Sequence, residues 1–129
     1  MAQHSVLVSQ QVPAADALWG LLHDASEAYI CDLAAPIKRD PSMEGYRVAE
    51  QRLMACVCRR FGLAPEMPES VKQADRVLLA TEFRDVTTVD DLAWIVGECG
   101  AAPFEMSIFP WSPVVAEDQF LRRYRELTA

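Results

Sequence analysis

Apolar positions return at helical spacing along most of the chain. From Ala14 to about Ile30, Leu18, Leu21, Leu22, Ala25 and Tyr29 recur at three- and four-residue steps, which predicts one apolar helix face. Before it, Ser5 to Val12 is a short apolar-rich helical segment stopped by Pro13, and after it Cys31 to Pro41, with Pro36 and Pro41, reads as a loop. Ser42 to Phe61 is the clearest helix. Tyr46, Ala49, Leu53, Cys56, Val57 and Arg60 follow or border its predicted buried stripe, Ser42 can cap its start, and Gly62 stands just past its end. A further helix starts near Glu69, after the Pro65/Pro68 loop, and runs to about Asp85. Asp90 to Val96 fits a helical turn or short helix, and Gly97, Gly100 and Pro103 break any helix beyond it. Ser112-Pro113 supplies an N-cap and a first-turn proline for a last helix, with Val114, Phe120, Leu121, Tyr124 and Leu127 available for packing. The pattern contains no strong strand, repeat or low-complexity tract. It predicts an all-α fold, a helical bundle of about five to six helices in one domain over residues 1–129.

Length and composition narrow the function classes. At 129 residues and 51% hydrophobic positions the chain can build a packed core without staples. Its net charge of −7 lacks the basic footprint that neutralises nucleic-acid phosphates. No apolar run approaches the roughly 20 residues of a membrane span and the N-terminus has no signal-peptide pattern, so the expected location is cytoplasmic. Four cysteines, Cys31, Cys56, Cys58 and Cys99, do not make a zinc or disulfide pattern. Cys56 and Cys58 stand two apart on a helix and point to different sides, so the four read as reduced thiols, mostly in the core.

The only two histidines change the picture. In His23-Asp24-Ala25-Ser26-Glu27, followed by Asp32, Glu27 is three residues after Asp24 and four after His23, so these groups can converge at the end of a helix or simply form its solvated terminus. Asp75 borders an apolar face made by Val71, Ala74, Leu78 and Leu79, where an unpaired carboxylate is costly. It needs a cation, and Lys72, Arg76 or a metal could supply one. His4 lies among apolar residues just before the His23 helix. Together His4, His23, Asp24 and Asp75 offer two nitrogens and two carboxylates, a donor set that suits a divalent transition metal.

This order, His…His-Asp…Asp on successive helices, resembles the HD-domain metal-dependent phosphohydrolase superfamily. The stretches AQHSVLVS, ALWGLLHDASEAYICDLAAPIKR, VKQADRVLLATEFRD and IFPWSP…FLRRY are similar to its bacterial and phage branch of 5′-deoxynucleotidase-like proteins, and the resemblance spans almost the whole chain. It implies that one divalent ion (Mn, Co, Mg, Fe, Ni or Zn) is held by His4, His23, Asp24 and Asp75, with Asp85 the rival for the fourth position. It implies that Glu27 is the general acid/base, that Asp32 lies near the substrate's sugar, and that Lys38 meets a phosphate, although Lys38 and Arg39 could equally be a solvated basic pair. Relatives of that branch carry a further segment, with a phosphate-holding arginine, before the first ligand histidine. This chain begins three residues before His4, and it has Cys31 where relatives have glycine and Ala34 where many have proline. The implied activity is hydrolysis of a nucleoside monophosphate or similar small phosphomonoester by a chain that acts without nucleic acid or membrane and is able to form a homo-oligomer. The alternatives are a metal-binding, regulatory HD-fold protein with little catalysis, and a helical interaction domain whose acids are structural.

Overall fold

Regular structure in the computed structural model, which describes Met1–Ala129, is helical throughout, as the periodicity predicts. Seven α-helices are joined by loops and three short 3-10 turns: α1 Ala2–Gln10, α2 Ala17–Leu22, α3 Ala35–Lys38, α4 Glu44–Phe61, α5 Glu69–Val86, α6 Leu92–Cys99 and α7 Pro113–Thr128. None is long and apolar enough to cross a membrane. The chain packs as two compact units, one of Met1–Leu21 with Met67–Ala129 and one of Leu22–Glu66.

In the first unit α1 is the central element and packs on α5 and α7. Ser5, Val6, Leu7, Val8 and Ser9 are all buried, so this helix is enclosed on every side rather than along one stripe. Its two serines need partners there. Ser9 Oγ donates to the Val6 carbonyl, and Arg123 of α7 donates to both Ser9 Oγ and the Ser9 carbonyl at 3.0 Å. A guanidinium at the last turn of α1 thus satisfies a carbonyl left over by the helix and suits the negative end of its dipole. Helix α5 buries Val71, Ala74, Leu78, Ala80 and Thr81. Ile95 and Cys99 of α6 pack on Ala80, and Phe83 meets Trp94 edge to face at 5.6 Å.

The loop after α6 is fastened by side chains at alternating positions. Thr81 Oγ1 accepts the Phe104 N–H, Arg84 donates to the Phe104 and Met106 carbonyls, and Asp85 accepts the Ile108 N–H. Gln3 extends this strap by donating to the Phe109 carbonyl and accepting the Trp111 N–H, as a neighbouring strand would. The start of the chain is therefore tied down within the first unit.

In the second unit α4 packs against the 3-10 turns at residues 25–28 and 41–43. Gly62 has φ 68° and closes α4 through the Cys58 carbonyl, as expected. At the other end the cap differs from expectation. Asp40 rather than Ser42 is the capping side chain, and it accepts from Ser42 N and Oγ at the turn before α4.

Several sequence expectations are corrected. The helix predicted over Ala14–Ile30 is a 3-10 turn, then α2, then a second 3-10 turn at Ala25–Ala28; the Glu27 N–H reaches the Asp24 carbonyl three residues back, and the α-helical ladder ends at Leu22. The loop after Cys31 contains short α3, which Pro36 opens. Gly97 lies inside α6, and only Gly100, with φ 67°, ends it. Val57 and Cys58 are the buried residues of α4, so Ala49, Cys56 and Arg60 face solvent; Cys31 is exposed as well, leaving Cys58 and Cys99 as the core thiols, all four free. On α7 the residues turned inward are Phe120, Tyr124 and Leu127, while Val114 and Leu121 are exposed. No non-glycine residue has positive φ, so Cys31 sits without backbone strain.

Among the glycines, Gly20 alone has another part of the chain within contact of where a Cβ would stand. A Cβ there would lie 3.1 Å from Ser9 Cα, on the backbone of an enclosed helix that has little room to yield. Overpacking of this kind costs about 1–3 kcal/mol, against roughly 1 kcal/mol of better helix propensity for alanine. Gly20→Ala should therefore lose on the order of 1 kcal/mol in urea unfolding; unchanged or raised stability would show that α1 gives way.

Candidate metal centre

Each unit contains one of the two histidines, and each histidine faces a carboxylate. In the first unit His4 is placed by α1 and Asp75 by α5. His4 Nε2 lies 2.9 Å from Asp75 Oδ1, and the ring is mostly buried. Its other nitrogen, Nδ1, lies 3.0 and 3.1 Å from the two carboxylate oxygens of Glu82. Asp75 and Glu82 are seven residues apart, two turns along one face of α5, with fully buried Leu78 between them. The cations expected for Asp75 are engaged elsewhere, since Lys72 and Arg76 both pair with Glu69. Imidazole, not a basic side chain, answers the border carboxylate.

A neutral imidazole carries one proton and one lone pair. With Nδ1–H donated to Glu82, the Nε2 lone pair faces Asp75 Oδ1, and two acceptors at 2.9 Å repel unless a positive charge lies between them. A proton or a metal ion can supply it.

In the second unit His23 and Asp24 are consecutive at the turn where the α2 ladder ends. His23 is buried, and its Nε2 lies 3.1 Å from Asp24 Oδ2. The break makes that pairing possible, because neighbouring side chains on a continuous helix diverge by about 100°. In an octahedral shell with ligand bonds near 2.1 Å, adjacent donors stand about 3 Å apart. Both histidine–carboxylate pairs have that spacing, and their nitrogen and oxygen donors are the ones a divalent transition metal takes.

The remaining predicted residues gather in the second unit. Glu27 shares a hydrogen bond with Asp32, and its pKa is raised to about 7, first by burial and then by the charges of Asp24 and Asp32, with Lys38 pulling the other way. Lys38 Nζ sits 3.3 Å from Asp32 and 2.9 Å from Glu50, over the Tyr46 ring. These two carboxylates hold its ammonium well above its ordinary range despite partial burial. Helix α4 builds this arrangement. Tyr46 donates to the Cys31 carbonyl, Arg47 to the Lys38 and Asp40 carbonyls, and Glu50 takes the ammonium.

Asp85, the rival ligand, chelates Arg84 and accepts the Ile108 N–H, so it serves the strap. The Arg84 guanidinium holds its carboxyl below the usual carboxylate range. Sequence reasoning missed Glu82 and Glu50. Glu82 could have been found as the residue two helical turns beyond Asp75 on the same face.

The Glu27 shift fixes the sign of a pH effect. Its folded pKa of about 7 exceeds the ordinary value of 4.5, so between these the folded chain binds more proton than the unfolded one. Stability contributed by this group is full below pH 4.5 and falls as pH rises toward 7. In metal-free buffer Glu27→Gln should match the wild type near pH 4 and exceed it above pH 7, by on the order of 1 kcal/mol for a group that is only partly buried. Thermal melts of both proteins across that range read the difference, and parallel curves would show that Glu27 titrates normally.

No family model and no solved structure matches the chain. Among proteins of similar sequence, the uncharacterized protein YfdR of Escherichia coli (strain K12) is 39% identical over 128 residues, which cover 99% of this chain and 71% of YfdR. The uncharacterized protein RCAP_rcc00048 of Rhodobacter capsulatus is 36% identical over 81 residues, 57% of this chain and 41% of that protein. An identity of 39% carried across nearly every element described above is a relationship of the whole chain, and the protein belongs to the family of YfdR.

Proposed function

We propose that the chain is a metal-dependent phosphohydrolase that releases phosphate from a nucleoside monophosphate or similar small phosphomonoester. In this reading His4, His23, Asp24 and Asp75 hold one divalent ion (Mn, Co, Mg, Fe, Ni or Zn), as the resemblance implies. The observation that carries it is the pair of histidine–carboxylate contacts at 2.9 and 3.1 Å, in which nitrogen and oxygen donors face each other at ligand-to-ligand spacing. His4, His23 and Asp24 are also a donor group of the kind that holds a metal. The resemblance to the HD-domain phosphohydrolases adds the reaction class.

Such an ion would polarise a phosphoryl oxygen and make water nucleophilic near neutral pH. The protein's own groups supply the proton handling. With its pKa at about 7, the Glu27 carboxyl both accepts and releases a proton at neutral pH, and its hydrogen bond to Asp32 fixes the orientation of the acid. In this reading Asp32, held against Lys38, would meet the sugar of the substrate, as the resemblance implies. Lys38 can turn to a phosphate only by loosening its grip on Asp32 or Glu50.

That last feature favours a second reading, a metal-binding protein of the same kind with little catalysis. The ammonium that would hold a phosphate is already met by two carboxylates.

Purified protein should take up a divalent ion, and His23→Ala should lose it. Phosphate release from deoxynucleoside monophosphates, assayed with Mn²⁺, Co²⁺, Mg²⁺ and Zn²⁺, should fall about 10²–10⁴-fold in Glu27→Gln while ion binding stays. Equal background rates in the wild type and Glu27→Gln, with the ion bound, would leave the binding-module reading; no bindable ion would end both.

A further inference from the structure

We infer that Glu82 is the positioning residue of His4, a carboxylate that fixes which ring nitrogen faces the ion. The inference rests on the metal site proposed above and concerns residues of the first unit alone.

Three observations carry it. Both Glu82 oxygens lie within hydrogen-bond distance of one nitrogen, Nδ1, at 3.0 and 3.1 Å, while Nε2 of the same ring faces Asp75 at 2.9 Å. Each ring nitrogen thus faces a carboxylate, which can only accept, so the ring without an ion needs a proton on both; with an ion on Nε2 the remaining proton is on Nδ1 and is donated to Glu82. Secondly, Glu82 lines a cavity of about 290 Å³ whose other walls include Leu79, Phe83, Val86, Ile108 and Pro110. The Glu82 side chain is 27% exposed there, so its contact with the imidazole is partly shielded from water. Thirdly, α5 supplies both carboxylates at a seven-residue interval, so the ring's orientation is set from a single rigid helix. A histidine that binds a metal commonly donates its other N–H to a carboxylate, and loss of that partner costs about 10–100-fold in affinity.

The test is titration of the 129-residue chain with Zn²⁺ alone, comparing the wild type, Glu82→Gln, Glu82→Ala and His23→Ala. Glu82→Ala should weaken Zn²⁺ binding about 10–100-fold, and Glu82→Gln, whose amide oxygen still accepts from Nδ1, should recover part of it. A structural role would not produce that graded recovery at equal melting temperature. Because the chain has only two histidines, nitrogen NMR of the Zn²⁺-loaded protein can read the ring state of His4 directly. The Nδ1–H form is expected in the wild type and its loss in Glu82→Ala.

If the wild type and Glu82→Gln bind Zn²⁺ within twofold of each other and His4 shows no Nδ1–H preference, the role of Glu82 is overturned even should Glu82→Ala fail to fold. If the wild type binds no Zn²⁺ or other divalent ion, the metal reading itself falls and this inference with it. If binding survives His23→Ala undiminished but drops in both Glu82 variants, the four-ligand site is wrong while the role of Glu82 on His4 stands.

Discussion

One imidazole held between two carboxylates sets the constraint on which the first unit is built. His4 must reach Asp75 with one nitrogen and Glu82 with the other, and these acids stand two turns apart on α5. Only a fixed register and rotation of α1 satisfies both. Those polar contacts set the rotation, since the run Ser5–Ser9 is buried on every side and has no single apolar stripe to set it. Arg123 fixes the axial position by gripping the Ser9 carbonyl and hydroxyl. Gln3, next to the histidine, binds the strap that Thr81, Arg84 and Asp85 fasten to α5. The strap therefore closes a loop of hydrogen bonds from α5, through residues 104–111, to Gln3 and back through His4 to α5.

Charge in the second unit is arranged on a different principle. Asp24, Glu27 and Asp32 crowd together with Lys38 and Glu50 close by, so the acids outnumber the ammonium. Such a cluster cannot ionise fully at low cost, and the group that gives way is Glu27, the one raised by burial as well as by its neighbours. Lys38 lowers the cost for Asp32 and Glu50, and thereby gives Asp32 a fixed place beside Glu27. An acidic chain can thus keep one carboxyl half-protonated at neutral pH.

The parts of this architecture that depend on local chemistry were legible in the sequence. Gly62 ends α4 because the left-handed turn favours glycine, Ser112-Pro113 opens α7 as a cap followed by a proline, and α5 keeps to its apolar stripe from Glu69 onward. Asp75 was conspicuous as an acid on the border of that stripe. The illegible parts depend on partners distant in the chain. Glu82 looks like any acid of a solvated helix face until His4, 78 residues away, is laid against it. Asp85 reads as a helix-end acid, yet its partner at Ile108 belongs to a loop with no periodicity to announce it. The spacing puts Cys56 on the predicted stripe of α4, and only the packing shows that Cys58, on another side of the helix, is the buried one.

The break after Leu22, which the sequence does not show, is the instructive case. Leu18, Leu21, Leu22, Ala25 and Tyr29 keep three- and four-residue spacing through the break, and a 3-10 turn of only four residues is too short for its tighter winding to show in that pattern. The apolar pattern therefore cannot distinguish a continuous helix from one that tightens at His23. The chemistry can. Two consecutive residues cannot present their side chains to one point from a straight helix, whereas His23 and Asp24 face each other at 3.1 Å. A histidine-aspartate dipeptide that is to act as a pair thus requires the ladder to end there. By the same geometry the Glu27 N–H is turned to the Asp24 carbonyl, and the Glu27 side chain meets the charge of Asp24. The break in the helix and the share of Glu27's raised proton affinity that comes from Asp24 thus follow from one local change in winding, while burial and Asp32 supply the rest.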